Sequence, residues 1–186
     1  MKIHLIGGSG SGKSTIARRL AARFNIPTLD LDDIFWDRES PTYGIKAPAG
    51  RRDAVLTAFV QKDDWVVEGI YYRWVLPSFR RADAIFVLVP PLWVRQSRII
   101  RRFIRRKVGI GSGKNESARY LWQLLKWNRG YDGDNLARAV EELDSHSLAY
   151  VKCENLREVM DHLVDHSITT NQLNSTLWGH GDRPLE

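Results

Sequence analysis

The stretch Gly7-Gly8-Ser9-Gly10-Ser11-Gly12-Lys13-Ser14 carries the pattern G-x-x-x-x-G-K-[ST] between an apolar run and a helix-forming one. That context turns the pattern into chemistry. Glycines let backbone N–H groups turn inward as a nest for phosphate oxygens, and the following helix brings the positive end of its dipole to the same point. Lys13 then reaches the β- and γ-phosphates of a nucleoside triphosphate, and the Ser14 hydroxyl is placed to ligate Mg2+. A solvent-open loop is expected to carry the Lys13 side chain. Asp30 and Asp32 end a second apolar stretch. Carboxylates at i and i+2 of an extended strand end point to one side. One could hold a metal-bound water while the other accepts a hydroxyl proton. The alternative is capping, by Asp32 or preferably Asp33, of a helix beginning at Ile34. A third feature is basic: Arg95 to Lys107 holds seven basic residues and no acidic one. Arg98, Arg101, Arg102 and Arg105 recur there at helical spacing, opposite Ile100, Phe103 and Ile104. Fixed guanidinium groups would compensate the charge that phosphoryl transfer spreads over equatorial oxygens, and their planar fork suits this better than lysine. The alternative is a solvated helix face.

These groups need elements to hold them. Lys2–Ile6 predicts a strand leading into the glycine loop. Thr15–Phe24 predicts a helix, with Ile16, Leu20 and Phe24 on one face. Pro27–Leu31 reads as a second strand. Arg51–Gln61 reads as a helix burying Val55, Leu56, Phe59 and Val60. Trp65–Val67 reads as a strand ending at Glu68-Gly69, where glycine permits close approach of backbone to a ligand. Ala84–Val89 is apolar throughout, the mark of a strand buried on both faces, and Pro90-Pro91 stops it. Helices are expected over Leu92–Lys107 and Ser117–Trp127, flanking a Gly-rich, mobile Val108–Lys114. A last strand over Ser147–Lys152 and a helix over Asn155–His166 follow. Strands alternating with helices imply an α/β fold with a parallel sheet covered on both faces.

Composition narrows the function. The 186 residues are 43% hydrophobic and 27% charged, an ordinary globular balance. No apolar run approaches the ~20 residues that span a bilayer, so no membrane role is expected. One cysteine, Cys153, excludes internal disulfides and Cys-based zinc sites. The N-terminus lacks the features of a signal peptide and reads as mature and cytoplasmic. The net charge of +6 favours anionic partners. Because the excess sits in one short segment rather than over a face, specific nucleic-acid binding is not expected. The five histidines show no metal-ligand spacing. No N-K-x-D for reading guanine is present, nor an apolar strand ending in Asp-Glu as motor ATPases carry.

In order, GGSGSGKSTIARRL, TLDLDDIFW, WVVEGIY and ADAIFVL, then the Arg-rich helix and the Gly-rich loop, resemble the small nucleoside- and shikimate-kinase-like P-loop kinases. The nearest likeness is to the adenylate-kinase-related group often named "DNA topology modulation protein". The resemblance covers residues 1–166. It implies a three-layer P-loop NTPase fold with a five-stranded parallel sheet and an Arg-rich lid at residues 92–129. Outside it, residues 167–186 read as a loosely held polar tail, in which Trp178 is the residue that could dock. It also implies a nucleotide site from Gly7 through Thr15, with ATP and Mg2+ as cofactors. Its D-x-D places Asp30 at the metal and Asp32 at the acceptor hydroxyl. Glu68 stands where nucleoside monophosphate kinases more often have Asp, near metal and acceptor, and Ser14 completes the metal set. An R-x-x-x-R lid pattern selects Arg102 and Arg106, with Arg119 across the loop. Arg101 and Arg105 fit one register earlier. Glu154-Asn155 falls where these folds contact adenine. Tyr71, Tyr72, Arg73, Trp74, Trp36, Arg51 and Arg52 either line an acceptor pocket or serve packing and helix structure.

The leading expectation is therefore an ATP-dependent phosphotransferase acting on a small molecule, through a hydroxyl or a nucleoside monophosphate. A nucleic-acid-associated regulator and a non-catalytic nucleotide sensor are the alternatives.

Overall fold

The computed structural model describes residues 1–37, 39–40, 44–108 and 117–165. Gly109, Gly111, Gly113 and the rest of the expected lid loop to Lys114 lie outside the described residues, as do residues 167–186 with Trp178. Five strands form the sheet: β1 (Lys2–Gly7), β2 (Thr28–Asp30), β3 (Trp65–Gly69), β4 (Ala84–Leu88) and β5 (Val151–Cys153). Their order is β2-β3-β1-β4-β5. Every pairing is parallel, with Ile3 opposite both Val66 and Ala84. Parallel neighbours need long crossovers, and helices supply them. They are α1 (Lys13–Phe24), α2 (Leu31–Phe35), α3 (Ala49–Phe59), α4 (Leu76–Arg81), α5 (Leu92–Lys107), α6 (Ala118–Gly130) and α7 (Ala137–Ser145), with a π-helical turn at Asp132–Leu136 joining α6 to α7.

Strand residues alternate between the two faces. Ile6, Trp65, Val67, Ile85 and Val87 cluster with Leu56, Val60, Phe79, Leu136 and Leu143. Ile3, Leu5, Val66 and Phe86, of opposite parity, are equally buried, and α1 lies against β1, β2 and β3. Each such side chain contributes about 1.5–3 kcal/mol on burial. The continuous apolar strands thus follow from a sheet covered on both sides. The described residues after Glu154 belong to a separate unit. A helix runs there over residues 156–165, with the Asn155 Oδ1 accepting from the Glu158 N–H at 3.2 Å.

Several boundaries differ from those expected. α1 opens at Lys13, two residues early, because Gly12 takes a left-handed φ of 103° and the chain turns helical at once. α3 buries Leu56 and leaves Val55 exposed, since only one stripe of that helix meets the sheet. The last strand is Val151–Cys153, not Ser147–Lys152. Ser147 adopts a φ of 53° in the turn that closes α7, which no strand residue can share. Short α4, and α7 with its π-helical turn, lay outside the expected elements, and α2 begins at Leu31 rather than at Ile34.

Candidate functional site

β1 delivers Gly7 to the loop, and α1 begins at Lys13. No carbonyl in the described residues accepts from the backbone N–H of Gly10, Gly12, Lys13 or Ser14. These are the donors a phosphate would take, at the positive end of a helix. Gly10 has a φ of 78°, and a Cβ there would lie 2.5 Å from the Arg95 carbonyl oxygen. Only glycine fits that contact.

Lys13 is buried rather than solvent-open, at 8% exposure. Its Nζ donates to the Gly8 carbonyl at 3.1 Å. Burial lowers its pKa, and the charges of Glu68, Asp32 and Asp30 act in the opposite sense. Glu68 is the acidic end of β3, opposite Leu5 in the sheet. Burial pushes its carboxyl up to about 7, against the pull of Lys13, and Asp30 and Ser14 are its hydrogen-bonding neighbours. Asp30 is also raised, chiefly by burial.

The acidic pair is built differently from the strand-end picture. β2 stops at Asp30 and α2 begins at once at Leu31, so Asp32 sits in a helix, not on an extended strand. The cap is Asp30, whose Oδ1 accepts from the Asp32 N–H at 2.9 Å, and neither Asp32 nor Asp33 fills that position. Asp32 instead accepts from the Tyr71 hydroxyl at 2.6 Å. Burial and this bond raise the Tyr71 pKa, keeping the phenol protonated. Gly69 has a packing reason: a Cβ there would fall 2.7 Å from Leu31 Cδ1. Its near neighbour on that side is the core, and the residue also lines the cleft described next.

A cleft of about 820 Å³ brings these groups together. Lys13, Ser14, Thr15, Asp30, Asp32 and Glu68 line it, as do Trp36 and Tyr71. Arg98, Arg101, Arg102, Arg105 and Arg106 of α5 line it too, so both arginine registers face inward. Arg119 is exposed and does not line the cleft. Arg51 pairs with Glu39 at 3.0 Å, and Arg52 lies 4.2 Å over the Trp74 ring while its Nε meets Asp53 at 2.8 Å. His4 is a core residue, bonded through Nδ1 to the Ser78 Oγ at 2.7 Å.

Among the described residues no group of three or more His, Cys, Asp or Glu side chains is gathered to hold a metal ion. Mg2+ needs no such cage, because it keeps several waters and takes phosphate oxygens besides one or two carboxylates. Two carboxyls whose pKa burial raises, beside the Ser14 hydroxyl, fit it, since a divalent cation would compensate charge that burial leaves poorly solvated.

The sequence reading missed a set of contacts behind the loop. Arg98 Nη1 donates to the carbonyls of Gly10 and Ser11 at 3.1 and 3.0 Å. Asn128 Nδ2 donates to the Ser9 carbonyl at 2.5 Å. Arg95, 1% exposed, holds Asp132 with both terminal nitrogens, at 2.7 and 2.5 Å. A signal existed for Arg95, which leads the basic row one turn before Arg98. Asn128, between Trp127 and Arg129, gave none.

No family model matches the chain. It is 26% identical over 164 residues to the uncharacterized protein YqaC of Bacillus subtilis, across 83% of this chain and 86% of that one. A shorter match to a shikimate kinase of Paracidovorax citrulli is 50% identical over 38 residues, about a fifth of each chain. Among solved structures, the shikimate kinase of Aquifex aeolicus superposes with a TM-score of 0.55 at 18% identity, over 97% of this chain and 100% of that one. Shikimate kinase from Acinetobacter baumannii, in complex with shikimate, gives 0.59 at 18% identity, over 91% and 93%. The α/β architecture is therefore the P-loop fold of the shikimate kinases.

Proposed function

We propose that this chain is a phosphotransferase carrying the γ-phosphate of MgATP to a small-molecule acceptor, either a hydroxyl or a nucleoside monophosphate. One observation carries the reading: Lys13, Ser14 and three carboxylates share a cleft with five arginines of α5. A nucleotide sensor needs a phosphate grip and carboxylates for Mg2+, but it has no use for a further one, Asp32, held beside them by Tyr71. A kinase needs both.

The loop from Gly7 to Thr15 grips the triphosphate, and Lys13 leaves the Gly8 carbonyl to bridge the β- and γ-phosphates. Ser14, Asp30 and Glu68 would hold Mg2+, directly or through water. The ion would supply charge neutralisation at the phosphates. Asp32, oriented by the Tyr71 hydroxyl, accepts the acceptor's proton. Arg102 and Arg106 face the transferring phosphoryl group, where charge spreads in the transition state. Arg119 joins the set on the family resemblance alone.

The likeness to the group named "DNA topology modulation protein" rests on the sequence landmarks. A nucleic-acid regulator would want its arginines turned outward along a duplex, whereas these line a cleft with Lys13. Among the described residues no helix is long and apolar enough to cross a membrane, and a cytoplasmic setting belongs to the same proposal. The test is ADP release from ATP across a panel of sugars, hydroxy acids, nucleosides and nucleoside monophosphates. One acceptor raising the rate well above basal hydrolysis supports the kinase. ATP binding with no acceptor-dependent release across the panel favours the sensor instead.

A further inference from the structure

We propose that Asn128 and Arg98 are positioning residues that hold the phosphate loop open-handed, by gripping its carbonyls from behind. The proposal rests on reading the Gly7–Ser14 loop as the phosphate site. A peptide unit is planar and trans, so its C=O and the next N–H point in opposite directions. Fixing a carbonyl therefore aims the following amide. Asn128 binds the carbonyl of Ser9, which aims the N–H of Gly10 away from α6. Arg98 binds the carbonyl of Ser11, which aims the N–H of Gly12 away from α5. Both amides are without a carbonyl acceptor among the described residues. The intervening Ser11 N–H closes a turn onto the Gly8 carbonyl at 3.2 Å, so the grip spares the two amides on either side of it.

Asn128 is fully buried, on the last full turn of α6, and does not line the cleft. It is neutral and cannot compensate phosphate charge itself. Its amide orientation is fixed by chemistry, because turning it over would set Oδ1 against the Ser9 oxygen, two acceptors face to face. The Oδ1 left behind is buried with no partner among the described residues. A buried amide with one half unsatisfied is costly, and the bond to the loop is the function that retains it. Arg95 supports the grip from α5. Its guanidinium is locked onto Asp132 in the π-helical turn, and its carbonyl abuts Gly10. The spacing between α5 and the loop is thereby set. A loop flexible enough to wrap phosphate would otherwise sample many conformations before binding.

The test uses the full chain, with calorimetry of Mg-tripolyphosphate and MgATP and amide hydrogen exchange of the ligand-free protein. Tripolyphosphate reads the loop without base or ribose. Asn128→Ala is expected to weaken both probes by at least tenfold and to speed exchange at Gly10. Arg98→Met is expected to do the same with the exchange effect at Gly12. A merely structural role would not single out these amides. Should Asn128→Ala fail to fold, exposed Arg98 provides the variant that decides. Unchanged affinity and unchanged exchange, with wild type binding both probes, would overturn the positioning role and leave the phosphate site standing. Wild type binding neither probe would overturn the phosphate site and the positioning role together.

Discussion

Lys13 lies among three carboxylates and is nevertheless easier to deprotonate than in water, because burial outweighs their attraction. A triphosphate brings more negative charge than these groups supply, so nucleotide binding should draw the ammonium off the Gly8 carbonyl. Lys13→Ala is expected to abolish ATP turnover. Thermal melts with and without MgATP give the check: wild type should be stabilised by the ligand, and equal stabilisation of the variant would contradict the role. His4 makes a second residue-scale case. Burial lowers its pKa from the ordinary 6.5 to about 3. The folded state therefore refuses a proton that the unfolded chain accepts below pH 6.5. Stability is complete above that pH and drains as pH falls toward 3, by at most about 1.4 kcal/mol per unit. His4→Gln should flatten that slope in urea melts between pH 7.5 and 4, and a parallel slope in both proteins would sink the assignment. The sequence showed His4 only as a histidine without ligand spacing. Its burial depends on α4, an element no periodicity announced.

α2 and α5 govern the chemistry at the next scale. Asp30 has two tasks, capping α2 and facing Glu68, and substitutions separate them. Asp30→Asn keeps a side-chain acceptor for the Asp32 N–H, whereas Asp30→Ala should cost about 1 kcal/mol of stability through the lost cap. If the metal reading holds, both variants should weaken the Mg2+ dependence of turnover, while only the alanine lowers the melting temperature. On α5 the proposal assigns Arg102 and Arg106 to the transition state. Arg102→Gln and Arg106→Gln should then lower turnover by several orders of magnitude and ATP affinity far less. Steady-state rates beside calorimetry test this, and wild-type turnover in both would make α5 only a basic face. The sequence pattern placed α5 correctly because its arginine and isoleucine stripes keep helical spacing over the whole segment. It misplaced the start of α2 because nothing local marks how abruptly β2 ends. The helix begins one residue after the strand, so capping passed to Asp30 itself.

For the whole molecule, the charge excess lies on the wall of a concave site. Binding to duplex DNA should accordingly be weak and independent of sequence. It should fall by roughly 0.9 log units per phosphate contact for each log unit of salt. Titrations at low and physiological ionic strength read this directly, and tight, salt-resistant binding to one sequence would displace the kinase reading. The parallel sheet was readable because Val66–Val67 and Ala84–Leu88 are apolar on both faces, which only a doubly covered sheet demands. Asn128 was not readable, because its partner is a backbone carbonyl far away in the chain and backbone carbonyls leave no trace in sequence.

The strand order has a consequence during synthesis. Of the five strands β1 is made first, and it is the central one, pairing among the described residues with β3 and β4. Its apolar residues must wait, both edges bare, until Trp65 and then Ala84 leave the ribosome. At ~5–20 residues per second that wait lasts on the order of several seconds. Through that interval the nascent chain carries a sticky, unpaired strand, the kind of segment that chaperones shelter. Nascent chains stalled just before β3 should be protease-sensitive throughout, and those extended past β4 should become resistant in one step.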